Sequence, residues 1–178
     1  KALSELGFKE KEMETLYGAS TAYQIRMSNS FSGYDIKLFL QGSYANNTNV
    51  RGHSDIDIAV VQEDIFRPKY RANVSGKDYG FTKAAPRNKS FKDEVEDALI
   101  KHFDNDVERK NKSIKINGNS YRKDTDTVPS IRSRDYRQDY RFDDENYIGG
   151  ILIKADDGQE IINYPEQHIK NGVEKNNA

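Results

Sequence analysis

Two aspartates, Asp55 and Asp57, stand one residue apart in "SDIDIAVV", at the head of an apolar run. Side chains alternate faces along a strand, so both carboxylates point one way while Ile56 and Ile58 point the other. Like charges about 4 Å apart repel by roughly 4 kcal/mol at an effective dielectric of about 20. At the start of a strand entering the core, such a pair calls for positive charge between its members. A divalent cation meets that need, and hard carboxylate oxygens select Mg2+, with Mn2+ as a substitute.

A second pattern lies just upstream, in "LQGSYANNTNVRGHS". Gly42 lacks a Cβ, so a ligand can approach the backbone closely. If Ser43 opens a short helix, its amide and hydroxyl sit at the positive end of the dipole, where a phosphate binds well. Ser43 is equally suited to cap that helix, and the two roles are compatible. Thr48, with Asn46 and Asn47, either shapes the turn or touches the triphosphate or ribose. A phosphate cradle followed by paired carboxylates describes a nucleoside triphosphate held on Mg2+, and the matching chemistry is in-line displacement at phosphorus.

Such a site uses a third carboxylate, as metal ligand and as base for an attacking hydroxyl. Asp124 and Asp126 in "DTDTVPS" share a strand face, so periodicity does not choose between them. His53 reads as an exposed turn residue, because the mechanism already has a base. "RSRDYRQDYR", with Arg132, Arg134, Arg137 and Arg141 among Tyr136 and Tyr140, could stack on a nucleotide or RNA. Its Asp135 and Asp139 favour a solvated, salt-bridged loop instead.

The elements that position these residues follow from periodicity. Residues 10–28 read as one amphipathic helix, and "IKLFLQ" from Ile36 to Gln41 as an apolar strand. A short helix starts at Ser43, and "DIDIAVVQ" is the next strand. Residues 63–88, with Pro68, Gly76, Gly80 and Pro86, read as a long irregular loop or lid. Ser90 with Asp93 resembles a capping box for a helix whose face carries Phe91, Val95, Leu99 and Phe103. "SIKI" at 113–116 and "SYRKDTDTVPS" read as a hairpin around Gly118-Asn119. Residues 132–146 read as exposed, and "YIGGILIK", "DDG" and "QEIIN" as a second hairpin. The order implies an α+β fold, a mixed or mainly antiparallel sheet with helices packed on one face.

Composition bounds the rest. The chain has 178 residues, 35% hydrophobic and 32% charged, which suits one domain with a modest core inside a charged shell. A net charge of −1 argues against a general grip on nucleic acid and leaves room for a local basic cleft. With no cysteine, disulfides and thiolate chemistry are excluded. No apolar run is long enough to span a bilayer and no secretory signal opens the chain, which fits a cytoplasmic protein. The first residue is Lys rather than Met, as expected of a trimmed start.

Gly42-Ser43, "SDIDI" and the later "DTVP" together resemble the motif set of the nucleotidyltransferase superfamily that includes DNA polymerase beta. "QGSYANNTNVRGHSDIDIAV" is most similar to bacterial enzymes related to cyclic GMP–AMP synthase and oligoadenylate synthase, the makers of antiphage cyclic-oligonucleotide messengers. The resemblance runs from the first helix to the C-terminus and implies a polymerase-beta-like fold, NTP substrates, Mg2+ and a 2′- or 3′-hydroxyl acceptor. Relatives carry "DVVP" where this chain has Asp126-Thr127-Val128-Pro129, which favours Asp126 over Asp124. The resemblance also implies that residues 1–178 are the catalytic N-terminal domain of a longer protein, without the helical lobe that follows "INYPEQHIKNGVEKNN" in relatives. The expected function is formation of a cyclic or linear oligonucleotide from NTPs with release of pyrophosphate, and a downstream effector or regulatory protein as partner. Transfer to RNA 3′ ends or to a protein in a toxin–antitoxin pair, and a non-catalytic nucleotide-binding module, are the alternatives.

Overall fold

The structure is a computed structural model in which residues 34–41, 56–119 and 124–164 are described. The helices expected over 10–28 and from Ser43 lie outside these residues. So do Gly42, Ser43, Thr48 and Asp55.

Among the described residues, seven strands form one mixed sheet, as expected for the fold class. The strands are β1 (Ile36–Gln41), β2 (Ile56–Lys69), β3 (Val107–Arg109), β4 (Ile114–Ile116), β5 (Thr125–Asp135), β6 (Ile148–Lys154) and β7 (Glu160–Asn163), with helix α1 (Phe91–Phe103) between β2 and β3. They run β1-β2-β5-β4-β3, and β6 joins β5 to β7. β2 and β5 are parallel, and the other pairings are antiparallel. Along the side of β5 away from β2, β4 pairs with Thr125–Thr127 and β6 with Ile131–Asp135. The continuous run Ile58, Ala59, Val60 and Val61 is fully buried, the pattern of a strand covered on both faces.

α1 forms where its caps and stripe predict. Ser90 Oγ accepts from the Asp93 amide at 3.1 Å, and Phe91, Val95, Ala98 and Leu99 are buried along one face. Lys92 is buried too, because its Nζ donates to the carbonyls of Lys110 and Asn111 at 2.6 and 2.8 Å and pairs with Asp156 at 3.2 Å. The two expected hairpins form, β4 with β5 and β6 with β7.

Two expectations are corrected. Residues 63–88 are not one irregular loop, since β2 runs on to Lys69 through a register shift between Gln62 and Phe66 and stays paired with β5. β1 pairs no further along β2 than Gln62, so a proline at position 68 meets an edge open on that side. A short 3-10 turn, Gly76–Tyr79, follows. Residues 132–136 and Asp139 are not exposed, whereas Arg137, Gln138 and residues 140–146 are exposed as expected. Arg132, Ser133, Asp135, Tyr136 and Asp139 are buried.

Partners from distant segments make that burial possible. The Arg132 guanidinium meets both Glu63 oxygens, with Nε at 2.9 Å and Nη2 at 2.5 Å. Arg134 lies over the rings of Phe66 and Tyr147, at 4.0 and 4.7 Å from their centroids. Tyr136 packs among Tyr70, Tyr79, Phe81 and Tyr147 and donates its hydroxyl to the Asp144 carbonyl. Tyr140 is widely exposed, under the Arg71 guanidinium.

Asp139 fastens the segment. Its carboxylate accepts the Tyr79 hydroxyl at 2.6 Å, the Asn146 side-chain amide at 3.0 Å, and the backbone amides of Arg141 and Asp143. The Tyr79 hydrogen bond, with Asn146 and the amides behind it, holds the Asp139 carboxyl down at about 2. A depressed carboxyl stabilises fully above its unfolded value of about 3.9 and loses that contribution as pH falls through about 2. Asp139→Asn is therefore expected to show a smaller fall in Tm between about pH 4 and 2 than the wild type. Equal falls would count against the assignment.

Candidate active site

β2 and β5 bring two carboxylates level. Asp57 and Asp126 are direct partners in the parallel register, the second residue of each strand, so they share one face at one edge of the sheet. Neighbouring strands lie about 4.8 Å apart, which sets the scale of their separation. Both are partly exposed, whereas Ile58, Thr125 and Thr127 beside them are fully buried on the opposite face. The strands enter the core on that side, with the two carboxylates on the other face.

The row extends in both directions. Gln41, the last residue of β1, registers with Asp57, and Lys115 of β4 registers with Asp126. Gly42 and Ser43 follow Gln41 in the sequence, and Asp55 precedes Ile56. Among the described residues no group of three or more His, Cys, Asp or Glu side chains converges on a point. The described part thus contains one carboxylate of the expected DxD pair, Asp57, and one from the later motif, Asp126.

Asp124 is engaged elsewhere. It precedes β5, accepts the Gly118 amide at 2.5 Å and pairs with Lys115 Nζ at 3.4 Å. The Gly118 hydrogen bond first, then Lys115, hold its carboxyl below the ordinary carboxylate range. Asp126 is level with Asp57, and Asp124 secures the turn.

The donor set fits a hard divalent ion. Two level carboxylates at an exposed strand edge supply only oxygen ligands and carry like charge that an ion would offset. Histidine adds nothing within the described residues, where His102 is exposed on α1. Lys115 was missed from sequence. "SIKI" shows it alternating with buried isoleucines, but only the β4–β5 register sets it opposite Asp126.

Two of the four arginines in the arginine-rich segment are held in ion pairs. Arg132 is spent on Glu63, and Arg137 on Asp135 at 2.8 Å. Among the described residues no helix is long and apolar enough to cross a membrane.

Known proteins match this arrangement. The nucleotidyltransferase domain family matches residues 23–117. The chain is 51% identical over 178 residues to the cyclic GMP-AMP synthase CdnE03 of Staphylococcus schleiferi, across 99% of this chain and 55% of that protein. It is 46% identical over 143 residues to the cyclic dipyrimidine nucleotide synthase CdnE of Cecembia lonarensis, across 80% of this chain and 47% of the relative. The solved structure of the Rhodothermus marinus CdnE c-UMP-AMP synthase with Apcpp and Upnpp superposes with a TM-score of 0.72 at 28% identity, covering 96% of this chain and 61% of that one. The chain spans about half the length of the curated relatives it matches. With a family match over more than half its residues, on a sheet that sets Asp57 level with Asp126, this chain belongs to the nucleotidyltransferase domain family.

Proposed function

We propose that this chain is the catalytic half of a cyclic-oligonucleotide synthase, joining NTPs through 2′- or 3′-hydroxyls and releasing pyrophosphate. The observation that carries the reading is the level pairing of Asp57 and Asp126 on adjacent parallel strands. The 51% identity to a cyclic GMP-AMP synthase supports the product class.

In this reading Asp55, Asp57 and Asp126 would hold a divalent ion, Mg2+ or Mn2+, which when bound offsets the charge of the triphosphate and of the leaving pyrophosphate. Gly42 and Ser43 would cradle the donor phosphates through backbone amides, and Thr48 would touch the triphosphate or ribose. The acceptor hydroxyl oxygen bonds to the donor α-phosphorus as the bond to pyrophosphate breaks, and its proton passes to the Asp126 carboxylate. A second transfer closes the ring. The product serves as a messenger, read by a separate effector in antiphage signalling.

Full-length protein incubated with labelled NTPs and Mg2+ is expected to yield a phosphatase-resistant product whose mass is that of a cyclic di- or trinucleotide. A product that phosphatase trims, or label found on RNA or protein instead, would replace the cyclic reading.

A further inference from the structure

Four residues stand in one row across the strands, in the order Gln41, Asp57, Asp126, Lys115. Gly42 and Ser43 continue from the Gln41 end. If the donor triphosphate is held there, the reacting phosphorus lies over the two carboxylates and the acceptor enters from the β4 end. That nucleotide carries phosphates of its own past two carboxylates, and the approach is unfavourable unless a cation stands on that side. Among the described residues, Lys115 is a cation that the strand register puts there.

We propose that Lys115 binds a phosphate oxygen of the acceptor nucleotide, an assignment that rests on the nucleotidyltransferase reading above. Ile114 and Ile116 are fully buried on one face of β4, so alternation turns Lys115 to the face of Asp126. Its side chain keeps 22% of its surface exposed. The contact to Asp124, 3.4 Å, is longer than the roughly 2.8 Å of a tight charge-assisted bond. Asp124 is also secured by the Gly118 amide. An ammonium has three donors, so Lys115 can keep Asp124 and still reach a phosphate.

Substrate analogues separate the two nucleotide roles. A 2′,3′-dideoxy-NTP has no hydroxyl and acts only as donor, whereas an α,β-methylene NTP cannot release pyrophosphate and acts only as acceptor. Full-length protein given one of each forms a single linear product, from which a KM for each role is read. Lys115→Gln is expected to raise the acceptor KM roughly ten-fold, as for loss of one charge-assisted hydrogen bond, with the donor KM changed less than about two-fold. Lys115→Arg restores most of the affinity. Asp124→Asn, which removes the ion pair but not the lysine, leaves both values within about two-fold. An unchanged acceptor KM in Lys115→Gln, a larger effect on the donor, or a matching defect in Asp124→Asn would overturn the assignment. Absence of any linear product from the wild type would instead overturn the functional reading beneath it.

Discussion

Full-length protein carrying Asp57→Ala is expected to transfer nucleotides at least about a thousand-fold more slowly than the wild type, with an unchanged melting temperature. The size follows from what the carboxylate is proposed to do. A metal that stabilises developing charge is worth several kcal/mol at the transition state, and each 1.36 kcal/mol is a factor of ten. The stability forecast follows from the fold. Asp57 stands near the start of β2, partly exposed and level with another carboxylate, so removing it opens no cavity. Asp126→Asn should behave alike, and Asp124→Asn should not. Transfer that survives Asp57→Ala would sink the assignment, and a large fall in Tm would reclassify the residue as structural.

Glu63→Ala is expected to destabilise the protein by about 3–5 kcal/mol, the cost of leaving a buried charge without its partner. Arg132 is only 3% exposed, and both Glu63 oxygens face its guanidinium. A contact to the Gly150 carbonyl, at 3.3 Å, does not neutralise the charge. Replacing both partners with apolar residues, as in Glu63→Leu with Arg132→Met, should recover at least half of the loss, since desolvation of the pair disappears with it. Denaturant unfolding reads both variants. A Glu63→Ala loss below about 1 kcal/mol would show that solvent already screens the pair.

The same pair shows where sequence reasoning runs out. Local alternation was enough to find β1, the start of β2, α1 with its Ser90 cap, and the β6–β7 hairpin, because each pattern repeats within a few residues. The second half of β2 was misread as loop, because Glu63, Asp64 and Pro68 interrupt the apolar run and the strand is sustained by its distant partner β5. Residues 132–136 and Asp139 were misread as exposed for a related reason. Arg132 and Asp139 look like surface charges until Glu63 and Tyr79, 69 and 60 positions away, are brought against them. At the site, the chemistry proposed for the aspartates comes from residue type and spacing. Strand register was not legible there. It took the parallel pairing of β2 with β5 to set Asp126 beside Asp57, and the β4 hairpin to add Lys115.

Asp57 and Asp126 are proposed to serve one divalent site. Mn2+ titration of the full-length protein in the presence of a non-reacting α,β-methylene NTP tests it most directly, with Asp57→Asn, Asp126→Asn and Asp124→Asn compared against the wild type. The account predicts that the first two each weaken Mn2+ binding at least about ten-fold, while Asp124→Asn binds as the wild type does. Wild-type affinity in Asp126→Asn, or a loss in Asp124→Asn instead, would contradict it.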